Sequence, residues 1–191
     1  MGDLILVRHT TPEIAPGICY GQTDLDVTSK FLEEAETVAA ALCTSSSVFA
    51  GVVTSPLRRC RKLAEYLSVR FSVPLREVAG LKEMDFGTWE GRPWGALPRV
   101  ELDAWAADFL HARPHGGESV SMLRKRVTAA LGQIRTELRS GALQQNNPTL
   151  IITHSGVIRA ALSKGDTAND FSTNIDFGGF ITLSSKQGTT P

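Results

Sequence analysis

Arginine and histidine residues lie at or just after the ends of three short apolar runs in the sequence: Arg8, His9, Arg58, Arg59 and His154. Such short, continuous runs are typical of strands that are buried on both faces of a parallel sheet. In an open α/β sheet the carboxyl ends of the strands form the ligand-binding edge. We therefore expect two imidazoles and at least two guanidinium groups to meet at one site.

This combination of side chains suits a phosphate ester. Arginine binds phosphate oxygens through a planar, two-pronged guanidinium, a neutral imidazole can attack phosphorus, and a second imidazole can donate to the nonbridging oxygens. A general acid for the leaving oxygen is still needed, and the irregular segment LKEMDFG offers two carboxyl groups, Glu83 and Asp85. The residues alone do not decide whether His9 or His154 is the nucleophile.

Each of these residues also has a purely structural interpretation. An arginine and a histidine at a strand end, such as Arg8 and His9, are commonly a structural pair. His154 could bond only to the backbone, and Glu83 could be a surface charge. Their joint placement at strand ends is what favours the functional interpretation.

No metal, disulfide or nucleotide-cofactor site is predicted. His111 and His115 have the spacing of metal ligands, but Pro114 between them disrupts a helix. The sequence contains neither a GxxxxGK loop nor a GxGxxG turn. The tryptophans are expected in the core or in a cleft wall and the cysteines as reduced, packed thiols: Trp89, Trp94, Trp105, Cys19, Cys43 and Cys60.

Length and composition predict one domain spanning residues 1–191. The chain has 191 residues, of which 42% are hydrophobic, with 20 Lys+Arg against 20 Asp+Glu. The balanced charge disfavours nucleic acid or an anionic membrane as a partner. The first apolar run is too short for a signal peptide, so a cytoplasmic location is expected, and the oligomeric state is left open.

The hydrophobic periodicity predicts strands that alternate with helices. Thr28 is a candidate cap for the first helix, Ser55-Pro56 a start for the second, and Gly141 an end for the fourth. The alternation predicts an α/β fold in three layers, with a mostly parallel central sheet flanked by helices on both faces. The predicted strands are 4–7, 48–53, 75–78, 149–153 and a final edge strand 175–183, and the helices are 31–42, 56–67, 100–110, 120–138 and 157–163.

Five sequence blocks resemble the histidine phosphatase superfamily, which has the phosphoglycerate-mutase-like fold. The blocks LILVRHT, SPLRRC, LKEMDFGTWEGR, GGES and ITHSGVIRA occur in the family's order between residues 4 and 159. The resemblance implies that His9 is the nucleophile and becomes a phosphohistidine. The other implied roles are phosphate binding by Arg8, Arg59 and His154, a second catalytic role for His154, and proton donation by Glu83 rather than Asp85.

Two residues depart from the family pattern, because Thr10 and Ser155 stand where the family usually has glycine. Both place a side chain beside the expected phosphate site. The RHT block and the segment PGICYGQTDLDVT resemble the branch that acts on α-ribazole 5′-phosphate in cobalamin synthesis. That branch implies a small-molecule phosphate ester as partner, and substrate contacts from Gly21 and Gln22.

Three functions remain in competition at this stage. The first is a metal-independent phosphomonoesterase with no cofactor, the second is a phosphoglycerate-type mutase, and the third is a non-catalytic module that binds a phosphate ligand. The short stretch between Glu83 and His154 lacks the long insertion typical of mutases, which favours hydrolysis. All residues with a chemical role are present, which disfavours the non-catalytic module.

Overall fold

The central sheet has five strands in the order β3-β2-β4-β1-β5. The computed structural model describes residues 2–46, 48–139 and 147–184. The first four strands along the chain are parallel where they pair, whereas β5 runs antiparallel to β1 at the sheet edge. The strands are β1 (Leu4–Arg8), β2 (Gly51–Thr54), β3 (Leu75–Glu77), β4 (Thr149–Thr153) and β5 (Phe180–Leu183).

Helices cover both faces of this sheet, as the alternation of side chains along a strand requires. The helices are α1 (Phe31–Ser45), α2 (Arg58–Phe71), α3 (Arg99–Ala107), α4 (Val120–Arg139) and α5 (Ser155–Leu162). In β1, Leu4 and Leu6 pack beneath α4 and α5, and Ile5 and Val7 pack beneath α1 and α2. The predicted three-layer α/β fold with a mostly parallel sheet is confirmed.

One predicted helix cap and one predicted helix start are wrong. The side chain of Thr28 does not cap α1, whose first turn follows Lys30. The second helix begins at Arg58 rather than at Pro56, because Ser55 Oγ faces His154 and the chain stays extended as far as Leu57. The predicted helix end at Gly141 lies outside the described residues.

The final strand begins five residues later than predicted, and the residues before it hold the end of β1. The backbone N–H of Gly178 donates to the carbonyl groups of Arg8 and His9, both at 3.2 Å. Arg8 Nη1 donates to the Ile175 carbonyl at 2.7 Å. Residues 175–179 are therefore a loop wrapped around the Arg8-His9 pair. In the described part of the chain no helix is long and apolar enough to cross a membrane.

Candidate active site

His9 lies directly after β1 with its ring orientation and its tautomer fixed. Its side chain is buried, and Nδ1 lies 2.7 Å from the Thr10 carbonyl, which can only accept a hydrogen bond. Nδ1 therefore carries the proton, and Nε2 accepts from Arg59 Nε at 3.2 Å. Burial, with the positive charges of Arg59 and Arg8, lowers the pKa of His9 well below its ordinary value of 6.5. His9 is thus a neutral imidazole with its lone pair on Nε2.

Arg59, in the first turn of α2, is completely buried beneath His9. Its Nη2 donates to the Gly21 carbonyl at 2.6 Å, and its Nη1 donates to the Thr23 carbonyl at 2.8 Å. Gly21 cannot carry a side chain, because its Cβ would lie 2.0 Å from the Met84 carbonyl oxygen. Gly21 thus packs closely against Met84, and its carbonyl holds the guanidinium of Arg59.

Gln22 faces a different part of the molecule. Its Nε2 donates to the Glu83 carbonyl at 3.2 Å, and its side chain lines a second cavity beside Asp85 and Arg126 rather than the one that His9 faces. The substrate contacts expected of Gly21 and Gln22 remain predictions.

Arg8 lies on the other side of His9 and lines the main cavity. Besides its hydrogen bond to Ile175, its guanidinium lies against the ring of Phe177, with Cζ 3.8 Å from the ring centroid. This stacking is a cation–π contact, which orients the planar guanidinium without occupying all of its donors.

His154, the residue before α5, is fully buried behind His9, and the two ring centroids are 5.2 Å apart. Its Nε2 lies 2.8 Å from Ser55 Oγ and 3.4 Å from Cys60 Sγ. Burial, followed by the positive charge of Arg59, lowers the pKa of His154 well below 6.5. In the ligand-free protein His154 is therefore a neutral imidazole, and it can donate through one N–H only.

Of the two candidate acids, Glu83 faces the cavity and Asp85 does not. The Glu83 carboxylate is almost buried and accepts from the backbone N–H groups of Met84 and Gly156, at 2.9 and 3.1 Å. A Cβ on Gly156 would lie 2.2 Å from Glu83 Oε1, so any other residue here would displace the Glu83 carboxylate. Asp85 instead accepts from the Gly87 N–H at 2.8 Å and closes a turn.

The cavity next to His9 has a volume of about 420 Å³, which suits a small-molecule ligand. Trp94 and Trp105 line it and Trp89 is buried in the core, as the sequence predicts. Sequence reasoning gave Arg159 no role, although it also lines this cavity. The sequence could have indicated this position, because Arg159 follows Ser155 by four residues and therefore lies on the same face of the helix.

Elsewhere the described residues contain no group of three or more His, Cys, Asp or Glu side chains placed to hold a metal ion. All three cysteines are free thiols. Cys19 and Cys60 are buried, whereas Cys43 is exposed, so the prediction that Cys43 is packed is wrong.

Comparison with known proteins agrees with this geometry, because the sequence profile of the histidine phosphatase superfamily (branch 1) matches residues 4–173. The chain belongs to the histidine phosphatase superfamily. Among curated members, the adenosylcobalamin/alpha-ribazole phosphatase of Salmonella typhimurium is 28% identical over 165 residues, which are 84% of this chain and 78% of the relative.

Solved structures of the superfamily share the fold. A phosphoglycerate mutase from Thermus thermophilus has a TM-score of 0.70 at 27% identity, with 96% of this chain and 93% of that chain covered. A mycobacterial glucosyl-3-phosphoglycerate phosphatase in complex with inorganic phosphate has a TM-score of 0.76 at 25% identity, with 96% and 90% covered. The protein is thus an enzyme of the histidine phosphatase superfamily. The relatives named above include both phosphatases and a mutase.

Proposed function

We propose that this protein is a metal-independent phosphomonoesterase that works through a phosphohistidine at His9. The observation that carries the proposal is the state of His9: a neutral imidazole whose Nδ1–H is held by the Thr10 carbonyl, with the Nε2 lone pair beside Arg59. Elements from β1 to α5 contribute to the site, which supports one catalytic domain over residues 1–191.

In the first step Nε2 of His9 attacks phosphorus, and the bond from phosphorus to the ester oxygen breaks. Glu83, protonated at this stage, gives its proton to the departing oxygen, so that the alcohol leaves neutral. Arg8 and Arg59 bind the nonbridging oxygens. When the ester binds, the Nε–H of Arg59 turns from His9 to a phosphate oxygen, and the attacking lone pair becomes free.

In the second step water attacks the phosphohistidine. The Glu83 carboxylate takes a proton from that water, the P–N bond breaks, and inorganic phosphate leaves. His9 returns as the neutral imidazole, and the net reaction is ester plus water to alcohol plus phosphate. His154 donates its single N–H to the phosphoryl group while charge builds on the oxygens.

We propose α-ribazole 5′-phosphate as the substrate. Support comes from the RHT block, from the 28% identical relative whose name includes alpha-ribazole phosphatase, and from a cavity with aromatic side chains that suit a benzimidazole ring. Hydrolysis is favoured over a mutase reaction, because apart from the proposed phosphate ligands Arg8 and Arg59, Arg159 is the only cation among the described residues that lines the cavity. A bisphosphorylated intermediate would place a second dianion against its aromatic wall.

The test measures phosphate release from α-ribazole 5′-phosphate, 3-phosphoglycerate and p-nitrophenyl phosphate, each with and without EDTA, alongside interconversion of 3- and 2-phosphoglycerate. We expect release from α-ribazole 5′-phosphate to be fastest and unaffected by EDTA, and His9→Asn to abolish release. Phosphoglycerate interconversion faster than phosphate release would establish a mutase. Activity lost in EDTA and restored by Mg²⁺ or Zn²⁺ would contradict the metal-independent mechanism.

A further inference from the structure

The residues that line the main cavity fall into three groups. Its phosphate end is formed by Arg8, His9 and the first residues of α5. Arg159 comes one turn further along the same helix face, about 5–6 Å along the axis from Ser155. Aromatic side chains complete the wall: Phe86, Trp94, Trp105, Phe109 and Phe171.

Most hydrogen-bond donors of the Arg159 guanidinium are not used by the described residues. Among the described residues its guanidinium makes one hydrogen bond, from Nε to the Thr173 carbonyl at 2.8 Å, and it forms no ion pair. That bond orients the group, and both Nη atoms remain available to a ligand. The two Nη atoms carry four N–H groups that no acceptor of the described residues engages. Such donors on the wall of a cavity point to a hydrogen-bond acceptor on the substrate.

The aromatic zone suits a flat ring system. The rings of Phe86 and Trp94 meet edge to face with centroids 5.6 Å apart, and Phe86 and Trp105 meet in the same way at 6.4 Å. A wall of mutually perpendicular rings offers both faces and edges to a planar ligand, and such contacts contribute beyond the area they bury.

We propose that Arg159 determines substrate specificity by donating to hydroxyls on the segment that joins the phosphate to a planar aromatic ring, as in a nucleoside 5′-phosphate. The inference rests on the proposed phosphatase activity and substrate, and it names the residue of the same cavity that recognises the hydroxyls. Neutral hydroxyls fit better than a second anion, because an anion one helix turn from a phosphate dianion adds repulsion that a single guanidinium must offset.

The test for Arg159 compares adenosine 5′-phosphate with its 2′,3′-dideoxy analogue, which lacks both hydroxyls. Hydrogen bonds to a charged donor are worth about 1.5–3 kcal/mol, so we expect the wild type to prefer the ribonucleotide about 10- to 100-fold in kcat/KM. In Arg159→Met the ratio should fall to near one. Arg61→Met, an exposed arginine paired with Glu65, is the matched control and should keep the wild-type ratio.

Two further measurements distinguish donation to hydroxyls from binding of the phosphate or of a second anion. Inhibition by inorganic phosphate should be unchanged in Arg159→Met, and a weakening there as large as the loss on the ribonucleotide would show that Arg159 binds the phosphate instead. With phenyl phosphate and 4-carboxyphenyl phosphate, a wild-type preference for the carboxylate that Arg159→Met abolishes would establish an anion site. The proposal would also be overturned if Arg159→Met kept the wild-type preference for the ribonucleotide over its dideoxy analogue, or if the wild type showed no such preference.

For the aromatic zone, 2-phenylethyl and 2-cyclohexylethyl phosphate form a pair with similar leaving oxygens. We expect the wild type to prefer the planar ring and Trp94→Leu to lose that preference while phosphate inhibition stays constant. Equal rates for both esters in the wild type would contradict the planar ring. Hydrolysis of p-nitrophenyl phosphate is the check on the underlying activity, because its absence would mean that the proposed function has failed rather than the substrate class.

Discussion

Arg59 donates its Nε–H to Nε2 of His9 across 3.2 Å, so the arginine that we assign to phosphate binding engages the nitrogen that we assign to attack. On the opposite side of the ring, Nδ1–H is held by the Thr10 carbonyl at 2.7 Å. The two bonds allow one tautomer only. A phosphate ester that takes over the Arg59 donor would therefore release the nucleophile at the moment the phosphorus arrives.

His9 should carry the phosphoryl group, and His154 should not. In an experiment with ³²P-labelled substrate and a quench without acid, we expect an alkali-stable, acid-labile label on His9 in the wild type. The label should persist in His154→Ala and disappear in His9→Ala. Loss of a transition-state donor costs about 10²–10³-fold in rate, whereas loss of the nucleophile should abolish turnover. A label on His154, or no label under trapping conditions, would overturn this assignment.

Glu83→Gln should affect esters with poor leaving groups most. Because Glu83 faces the cavity, it can protonate the departing oxygen. We expect a loss of about 10²–10⁴-fold on an alkyl phosphate and less than about tenfold on p-nitrophenyl phosphate, whose leaving group departs without a proton. Asp85→Asn is the matched control, since Asp85 caps a turn outside the cavity. Equal losses on both esters would assign Glu83 another role.

Gly156→Ala should disable the enzyme without unfolding it. The added Cβ would lie 2.2 Å from Glu83 Oε1 and would push the carboxylate away from the cavity. Misplacement of a catalytic group by about 1 Å can cost about 10²-fold, so kcat should fall by that order. Ser155→Gly, which restores the usual glycine of the family, should keep near-wild-type activity. Normal kcat in Gly156→Ala would show that Glu83 needs no fixed position.

Glu90 should position Arg59 through the loop that holds it. Its carboxylate accepts from the backbone N–H groups of Gln22 and Thr23, at 2.9 and 2.7 Å, and Arg59 donates to the Gly21 and Thr23 carbonyls. Glu90→Gln should therefore weaken inhibition by inorganic phosphate and lower kcat, each by about tenfold for a lost charge-assisted bond.

Two controls make the Glu90 experiment decisive. Glu65→Gln changes an exposed carboxylate and should leave both constants unchanged. A Glu90→Gln protein with lower thermal stability but unchanged inhibition by phosphate would show that Glu90 only supports the fold.

Acid should destabilise the fold through its two buried histidines. The folded-state pKa values of His9 and His154 lie well below the ordinary 6.5, mainly because both rings are buried. Well above pH 6.5 neither the folded nor the unfolded state binds these protons. Below it the unfolded state binds more, so the free energy of unfolding falls by up to about 1.4 kcal/mol per pH unit for each histidine.

Urea unfolding between pH 5.5 and 8 measures this effect. His154→Gln should flatten the dependence of the unfolding free energy on pH below 6.5, whereas His111→Gln, at an exposed position, should leave it unchanged. The same slope in the wild type and in His154→Gln would mean that His154 titrates alike in both states.

The sequence by itself determined the fold class and the residues that meet at the sheet edge. The apolar runs of β1, β2 and β4 are local signals, and in a parallel sheet the residues that follow such runs must converge. His9, His154 and the pair Arg58-Arg59 could therefore be named from the order of residues along the chain. The family resemblance, rather than spacing, selected Arg59 over Arg58 and Glu83 over Asp85.

Only the tertiary structure decided how these groups are held. The Nε2 lone pair of His9 is held by Arg59, 50 residues away, and Arg59 in turn is held by the Gly21 carbonyl, 38 residues away. Ile175 and Phe177 continue the apolar alternation of the last strand, but hydrogen bonds to the end of β1 make residues 175–179 a loop. Such contacts join distant segments through packing, and neither local propensity nor periodicity encodes which partner each backbone group finds.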